Sequence, residues 1–320
     1  MKKYLKWLGL IVVLIVTVTV ILNQQWINDY LRGFGYEPEG KMGRIMEDLG
    51  LTERGEFLFK AARPELSSQD EFNATCRTVI DEEMAVLGCY TNDNIYVYNI
   101  ESTELDGIRE LTTAHELLHA VWARMSLAER SALSDELSQV LKVNQNILGE
   151  ELEAYDNEQK QEELFVRAGT EVANLPAELE KVYGEVFRDQ DKVVRFYDKY
   201  IGVFREMERE MDELMTQMEG IQAEIDSLSG DYEQRVNTLD SEIDSFNACA
   251  ETAGCFGSEG EFYGRRAVLV GEQEALEKIY NQINGLVNQY NELVEKYNAD
   301  VTRTEKLNRV MNSNSRPEEL

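Results

Sequence analysis

The only two histidines of this 320-residue chain, His115 and His119, lie four positions apart, with Glu116 between them. On an α-helix, residues four apart share one face, so both imidazoles could bind the same Zn²⁺ ion. A zinc ion lowers the pKa of its bound water, and a neighbouring glutamate can take the proton as that water attacks a carbonyl carbon. The spacing therefore predicts a zinc centre in which Glu116 is the general base.

A catalytic zinc ion usually has three protein ligands and one open position. Because the chain has no further histidine, we expect a carboxylate from a later helix as the third ligand. The stretch Thr112–His119, followed by an acidic stretch at Glu162–Glu171, resembles gluzincin-type metallopeptidases of the zincin fold. The resemblance implies Glu163 as the third ligand, with Glu171 as the next candidate and Glu162 behind it.

The resemblance also implies a reaction and a substrate class. In such enzymes, metal-activated water attacks a peptide carbonyl, and the glutamate that accepted its proton passes the proton to the leaving amine. The expected activity is therefore zinc-dependent hydrolysis of a protein or peptide substrate, with Glu116 in that role. A further group must stabilise the oxyanion, and the candidates, which the sequence does not rank, are Tyr155, Tyr183, Tyr197 and Arg167.

The histidine pair needs a helix, and the surrounding pattern predicts one from about Gly107 to Met125. Upstream, an apolar repeat predicts a short helix over Met42–Leu49 that stops at the next glycine. Residues Gly55–Lys60 are predicted as a strand, and Val86–Tyr90 with Ile95–Ile100 are predicted as a hairpin around a polar turn. A small antiparallel sheet should therefore precede the metal-binding helix.

Downstream, helices are predicted over about residues 126–143, 157–175 and 177–187, the first of them starting at a capping box. In the last third of the chain, apolar residues recur at alternating spacings of three and four, as in a coiled coil. One seam runs from Phe204 to Phe246 and a second from Leu276 to Tyr297. Two seams joined by a short loop favour an intramolecular helical hairpin over a coil between chains.

The expected fold class is α+β and mainly helical: a zincin-like domain with a small antiparallel sheet, followed by a long antiparallel coiled-coil helical hairpin. The predicted divisions are a cytoplasmic tip with a transmembrane signal anchor over 1–28, a metallopeptidase domain over 29–200, the hairpin over 201–311 with its tip loop at 247–262, and a disordered tail over 312–320.

Four cysteines form two close pairs in the sequence, Cys76 with Cys89 and Cys249 with Cys255. Local pairing in an oxidising compartment would close two short loops by disulfide bonds. Four buried thiols are the alternative, whereas a second metal site is disfavoured because neither pair has Cys-x-x-Cys spacing. We therefore predict two local disulfides.

The N-terminus places Lys2, Lys3 and Lys6 before an uncharged run from Trp7 to Asn28. Such a run is near the lower limit for crossing a bilayer, and the lysines favour a cytoplasmic N-terminus. A cleaved signal peptide is the alternative, but no small-x-small cleavage site follows the apolar run. The prediction is a single-pass cell-membrane anchor with an extracytoplasmic C-terminal domain.

The formal net charge is −29, from 61 acidic and 32 basic side chains. A surface this negative repels phosphate backbones, which argues against nucleic acid as a partner. Two classes of function remain. The first is a membrane-anchored zinc metallopeptidase, and the second is a cell-envelope coiled-coil scaffold or adaptor whose zincin-like domain is inactive or structural. In both, the coiled-coil arm offers a surface to a protein partner.

Overall fold

A computed structural model describes residues 13–76, 86–152, 155 and 157–313 of the chain. It divides into two compact units, one formed by the residues up to 204 together with those from 306, and the other by residues 205–305. Most described residues are helical, and a three-stranded sheet lies in the first unit. The predicted class, mainly helical with a small sheet and a long helical hairpin, is confirmed.

The elements that precede the histidine-bearing helix are α1 (Gln24–Gly33), α2 (Gly40–Leu49), α3 (Glu53–Ala62), β1 (Glu65–Ser67), α4 (Gln69–Cys76), β2 (Gly88–Thr91) and β3 (Asn94–Tyr98). Residues 13–22 are helical as well. Helix α2 ends as predicted at Gly50, which adopts a φ of 61° in the left-handed region that glycine tolerates.

The strand predicted over Gly55–Lys60 is wrong, because these residues lie inside α3. Thr52 caps this helix, and its side chain accepts a hydrogen bond from the Gly55 N–H at 3.0 Å. Burial then follows helical spacing, since Leu58 and Ala62, four apart, are both enclosed. The N-terminal cap and the helical spacing of buried residues favour a helix here, despite the strand-like composition of Gly55–Lys60.

The predicted transmembrane anchor over residues 1–28 is also wrong, and so is the single-pass cell-membrane localisation with an extracytoplasmic domain that depended on it. Within the described residues, no helix combines the length and the apolar character that crossing a bilayer requires. Residues 1–12 of the predicted anchor lie outside the described part. The side chain of Asp29 in α1 is only 4% exposed, and its Oδ1 lies 2.6 Å from Nη2 of Arg124. Helix α1 therefore packs into the first unit.

The sheet has the strand order β1-β3-β2, so β3 is central. Strand β2 runs antiparallel to β3, and the predicted hairpin is confirmed. Asn92 and Asp93 at its turn have φ values of 49° and 59°, as a tight two-residue turn requires. The sheet is mixed rather than antiparallel, because β1, which the sequence did not indicate, runs parallel to β3 with Leu66 opposite Val97.

The helix that carries both histidines is α5 (Ile108–Arg124), and it is followed by α6 (Leu127–Ala132), α7 (Ser134–Val143), α8 (Gln145–Leu152), α9 (Asn157–Glu171) and α10 (Ala177–Gly184). The capping box of Ser126 and Glu129 starts α6 as predicted. The helix is interrupted at Leu133, so two helices, α6 and α7, are found where one longer helix was predicted.

Helix α9 lies very close to α5. A Cβ atom at Gly169 would stand 2.6 Å from Leu118 Cδ1 and 2.6 Å from Tyr183 Cε1, so only glycine allows this approach. Nearby, the rings of Trp122 and Phe165 pack with centroids 5.1 Å apart. This contact fixes α9 beside the histidine-bearing helix.

The hairpin consists of α11 (Gln190–Ala250) and α12 (Glu259–Met311). Side chains pair in antiparallel order along it, as Glu224 with Gln282 and Arg235 with Glu272 show. The positions predicted as its two seams are buried or half-buried, except Ile243 at 37% exposure. Regular apolar spacing was therefore sufficient to predict this part of the fold.

Both predicted disulfides are confirmed. Cys76 at the end of α4 is bonded to Cys89 in β2, and Cys249 is bonded to Cys255 at the tip of the hairpin. The first joins a helix to the strand that borders the candidate site. The second closes the loop between the long helices.

At the C-terminus, residues 314–320 of the predicted tail lie outside the described part of the chain. Ser313 is buried, and its carbonyl oxygen accepts hydrogen bonds from the side chains of Gln69 and Asn73. The chain is therefore still packed against α4 at this residue.

Candidate metal centre

One turn of α5 and one residue of α9 bring three potential metal ligands together. His115 Nε2 lies 3.5 Å from Glu163 Oε1, and His119 Nε2 lies 3.4 Å from Glu163 Oε2. The ligand atoms of the three residues all lie within 4.8 Å of one another. The structure thus places both histidines, and Glu163 among the candidate glutamates, around one point.

This spacing fits a zinc ion. Tetrahedral zinc with donor atoms at about 2.0–2.1 Å separates two donors by about 3.4 Å. Both histidine–Glu163 separations are close to that value, and two imidazole nitrogens with a carboxylate oxygen are a donor set that suits Zn²⁺. The three side chains are between 11% and 23% exposed, so the group is recessed and still open to solvent.

Glu162, the residue before Glu163 on α9, contacts the other ring nitrogen of His119. Its Oε1 lies 2.8 Å from His119 Nδ1. A carboxylate in that position keeps a proton on Nδ1 and leaves Nε2 to face a metal ion. Burial lowers the pKa of His119, but hydrogen bonds to Glu162 and Glu163 outweigh burial and raise the pKa to about 10. In the metal-free protein His119 is therefore an imidazolium between two carboxylates.

His115 and Glu163 are in the protonation states that bind a cation. Burial lowers the pKa of His115 to about 4, more than the charge of Glu163 raises it, so this imidazole is neutral at pH 7. Burial raises the pKa of Glu163, but His115 and the hydrogen bond from His119 outweigh burial and lower the pKa to about 2. Zinc ligands must be deprotonated, and both groups meet that condition.

Glu116 lies beside this group and is only 5% exposed. Burial raises its pKa to about 7, although His119 and a backbone hydrogen bond from Tyr90 act in the lowering direction. A carboxyl group whose pKa is near neutrality can both accept and release a proton around pH 7. The site therefore contains a candidate acid–base group next to its candidate ligands.

The alternative ligand Glu171 lies in a different environment. Its two carboxylate oxygens accept hydrogen bonds from Arg167 Nε and Nη2, both at 2.9 Å. Arg167 Nη2 also donates to the carbonyl oxygen of Ile147 at 3.0 Å. Glu171 therefore neutralises a buried arginine that joins α9 to α8, and the structure does not bring it to the histidines.

The candidates for oxyanion stabilisation are mostly engaged in packing. The hydroxyl of Tyr183 is fully buried and donates to the carbonyl oxygen of Phe165 at 2.7 Å. Tyr155 packs against the main hydrophobic core, Tyr197 is buried, and Arg167 is held by its carboxylate partner. The structure singles out none of them for this role.

Two features of the site could not be assigned from the sequence. The sequence offers Glu162 as a rival ligand, because only the folded helix shows that it contacts the Nδ1 side of His119. Gly88 is the second feature, since a Cβ atom there would lie 2.6 Å from Glu116 Oε1. A glycine inside a strand pattern is a known sign of close backbone approach, so this signal was present in the sequence.

Comparison with known proteins gives no relative. No protein-family model matches the chain, and no curated protein or solved structure matches it significantly. The functional conclusion therefore depends on the geometry and chemistry of the site.

Proposed function

We propose that the protein is a zinc-dependent peptidase of the zincin type, with His115, His119 and Glu163 as zinc ligands and Glu116 as general base. The observation that carries the proposal is the position of the Glu163 carboxylate. Its two oxygens lie 3.5 and 3.4 Å from the Nε2 atoms of two histidines on one helical turn.

A purely structural ion-pair cluster is the competing explanation for this geometry, and Glu116 argues against it. Burying a carboxyl group costs stability, and proteins retain such groups mainly where function requires them. Glu116 is buried one residue from His115 and has a pKa raised to about 7. A cluster selected for stability alone would have no need of this fourth group.

A zinc ion bound at the site would lower the pKa of a water molecule and polarise the carbonyl group to be cleaved. Glu116 takes the proton of the attacking water, because its carboxylate form is available at and above its pKa of about 7. Protonated Glu116 then donates that proton to the leaving amine. Glu162 keeps the Nδ1 proton of His119 in place, so that Nε2 would be the atom that holds the ion.

The sheet supports a peptide as the substrate. Strand β3 is paired on both sides, by β1 and β2, so it offers no free edge to an extended chain. Among the described strands, β2 (Gly88–Thr91) is the edge beside α5, and its residue Gly88 touches Glu116. An extended peptide could add to this edge through backbone hydrogen bonds and so bring a peptide carbonyl to the site.

The proposal is tested by zinc analysis and proteolysis together. Protein offered zinc in chelator-free buffer should retain about one ion per chain and should cleave an unfolded protein substrate. Glu116→Gln should keep the zinc and lower kcat by about 10²–10⁴-fold, the usual contribution of a general base. Glu178→Gln, which changes an exposed glutamate at the start of α10, is the control and should keep full activity.

Two results would count against the proposal. Full activity of Glu116→Gln would remove Glu116 as the base. A chain that retains no zinc, measured on folded protein, would remove the metal centre itself.

A protein-binding scaffold is the second candidate function, and the hairpin favours it. Residues 205–305 form a compact unit of their own that contains none of the four site residues. If a chain lacking residues 205–305 fails to complement a null mutant while Glu116→Gln complements it fully, the hairpin carries the function. The opposite pattern supports the peptidase.

A further inference from the structure

Strand β2 makes an unusually close contact with the candidate general base. A Cβ atom placed on Gly88 would lie 2.6 Å from Glu116 Oε1, 2.7 Å from Glu116 Cγ and 2.7 Å from Thr112 Cγ2. All three atoms belong to side chains of α5 rather than to backbone. The backbone of β2 at Gly88 therefore forms the wall against which the Glu116 carboxylate rests.

Two residues further along, the same face of β2 is tied to the end of α5. Tyr90 directs its backbone N–H at the Glu116 carboxylate. Its hydroxyl oxygen accepts a hydrogen bond from Arg124 Nη1 at 2.8 Å and donates to Asp93 Oδ1 at 2.9 Å. The guanidinium group of Arg124 also lies over the Tyr90 ring, 6.0 Å from its centroid.

Arg124 is itself fixed from a third element. Its Nε and Nη2 donate to the two carboxylate oxygens of Asp29 in α1, at 2.9 and 2.6 Å. Both side chains are nearly enclosed, with 9% and 4% of their surfaces exposed. A bidentate pair in such surroundings holds its geometry far better than an exposed one. We call Asp29, Arg124 and Tyr90 the arginine clamp.

The opposite face of β2 is held by a covalent bond. Successive residues of a strand point to opposite sides, so Cys89 faces away from α5. It is bonded to Cys76 of α4, and both sulfur-bearing residues are buried with Phe72. Three consecutive residues of β2 thus provide a close contact, a disulfide and a polar clamp.

We propose that β2 is the positioning element for Glu116: Gly88 sets the place of the carboxylate, and the arginine clamp with the Cys76–Cys89 disulfide holds the strand against α5. The inference rests on the proposed function, since it gives Glu116 a task that requires a fixed position. Gly88, Tyr90 and Arg124 are positioning residues and not catalytic ones. Ordinary strand packing would not require a glycine beside a buried carboxylate.

Gly88→Ala tests the contact directly. The three nearest atoms that its methyl group would meet are Oε1 and Cγ of Glu116 and a methyl carbon of Thr112, all of them side-chain atoms, so we expect the carboxylate to move. A displacement of about 1 Å in a reacting group can cost about 100-fold in rate, and we expect kcat to fall by about that factor. KM and zinc content should stay unchanged. Gly202→Ala, at a helical glycine with open space around it, is the matched control.

Tyr90→Phe tests the clamp without adding bulk. It removes only the hydroxyl that binds Arg124, and we expect kcat to fall about tenfold, as for the loss of one hydrogen bond to a charged group. Tyr36→Phe is its control, because that hydroxyl bonds the carbonyl oxygen of Pro64 away from the site. The visible spectrum of the Co²⁺-substituted protein reports on the ligand shell and should be the same in all four variants.

The outcomes separate the inference from the proposed function. Lower kcat with unchanged KM and unchanged Co²⁺ spectrum in Gly88→Ala and Tyr90→Phe supports the positioning role. Unchanged kcat in both, or loss of zinc together with activity, overturns it. If Gly88→Ala does not fold, Tyr90→Phe decides alone. A wild-type protein that binds zinc and cleaves nothing refutes the proposed function, and the inference falls with it.

Discussion

Zinc binding should release a proton, and the apparent zinc affinity should rise steeply with pH. In the metal-free protein, burial opposes protonation of His119, but the hydrogen bonds to Glu162 and Glu163 prevail and raise its pKa to about 10. Zinc can bind Nε2 only after the proton on that nitrogen has left. An ordinary histidine has a pKa of about 6.5 and is mostly uncharged above pH 7, so its zinc affinity would depend little on pH in that range.

The magnitude follows from this pKa. Below it, each unit of pH raises the fraction of neutral imidazole about tenfold, so the apparent association constant should rise about 100-fold between about pH 6.5 and about pH 8.5. His115 adds no slope in this range, because burial lowers its pKa to about 4. One proton should therefore be released for each zinc ion bound.

Competition with a chromophoric zinc chelator measures the affinity, and calorimetry in two buffers of different ionisation enthalpy counts the protons. Glu162→Gln removes one of the two hydrogen bonds that stabilise the imidazolium of His119, so the pKa of His119 should fall and the slope should be shallower than that of the wild type. Glu178→Gln, at an exposed position, should keep the full slope. An affinity that is flat across this range, with no proton released, would refute the described environment of His119.

Removing the carboxylate of Asp29 by Asp29→Ala should lower the free energy of unfolding by about 3 kcal/mol, because Arg124 is left buried without its partner. Chemical denaturation measures this, and Glu37→Ala, which removes the exposed partner of Lys60, should change stability by less than about 0.5 kcal/mol. Gly169→Ala should destabilise the fold by about 1–3 kcal/mol, since its methyl group would collide with Leu118 of α5 and Tyr183 of α10. An unchanged denaturation midpoint would show that the helices can separate at little cost. Glu163→Gln should abolish zinc retention in elemental analysis. Glu171→Gln should keep about one zinc per chain and should instead lose stability, because Glu171 forms the ion pair with buried Arg167. The reverse pattern would exchange the roles of the two glutamates.

Regular spacing explains what could be predicted from the sequence. The seams between Phe204 and Phe246 and between Leu276 and Tyr297 repeat over many turns, and each repeat adds to the signal for a helical hairpin. The two disulfides were predictable because their cysteines are close in sequence and local pairing is the simplest arrangement. The histidine spacing located the candidate centre because ligands one helical turn apart need no tertiary information.

The errors arose where local pattern and tertiary contact disagree. Residues Gly55–Lys60 have strand-like composition, but the Thr52 cap and burial at helical spacing make them part of α3. The N-terminal apolar run suggested a membrane span, yet α1 carries the buried Asp29 that pairs with Arg124, 95 positions away in the chain. No local pattern reveals such a pairing.

The candidate site shows the same division. The helix that carries His115 and His119 could be placed from the sequence, while the choice among nearby acidic residues could not, because Glu162, Glu163 and Glu171 all lie on one predicted helix. Their different neighbours follow from how α9 packs on α5 through Gly169. That close approach decides which carboxylate faces the histidines.

X-ray absorption at the zinc K edge, on protein loaded with one equivalent of zinc and then dialysed, tests the central claim most directly. We predict retained zinc with the scattering pattern of two imidazoles and with oxygen donors at about 2.0–2.2 Å. His115→Ala and His119→Ala should each remove part of the imidazole signal. Zinc that is lost on dialysis, or that is bound without imidazole scattering, would contradict the proposed metal centre.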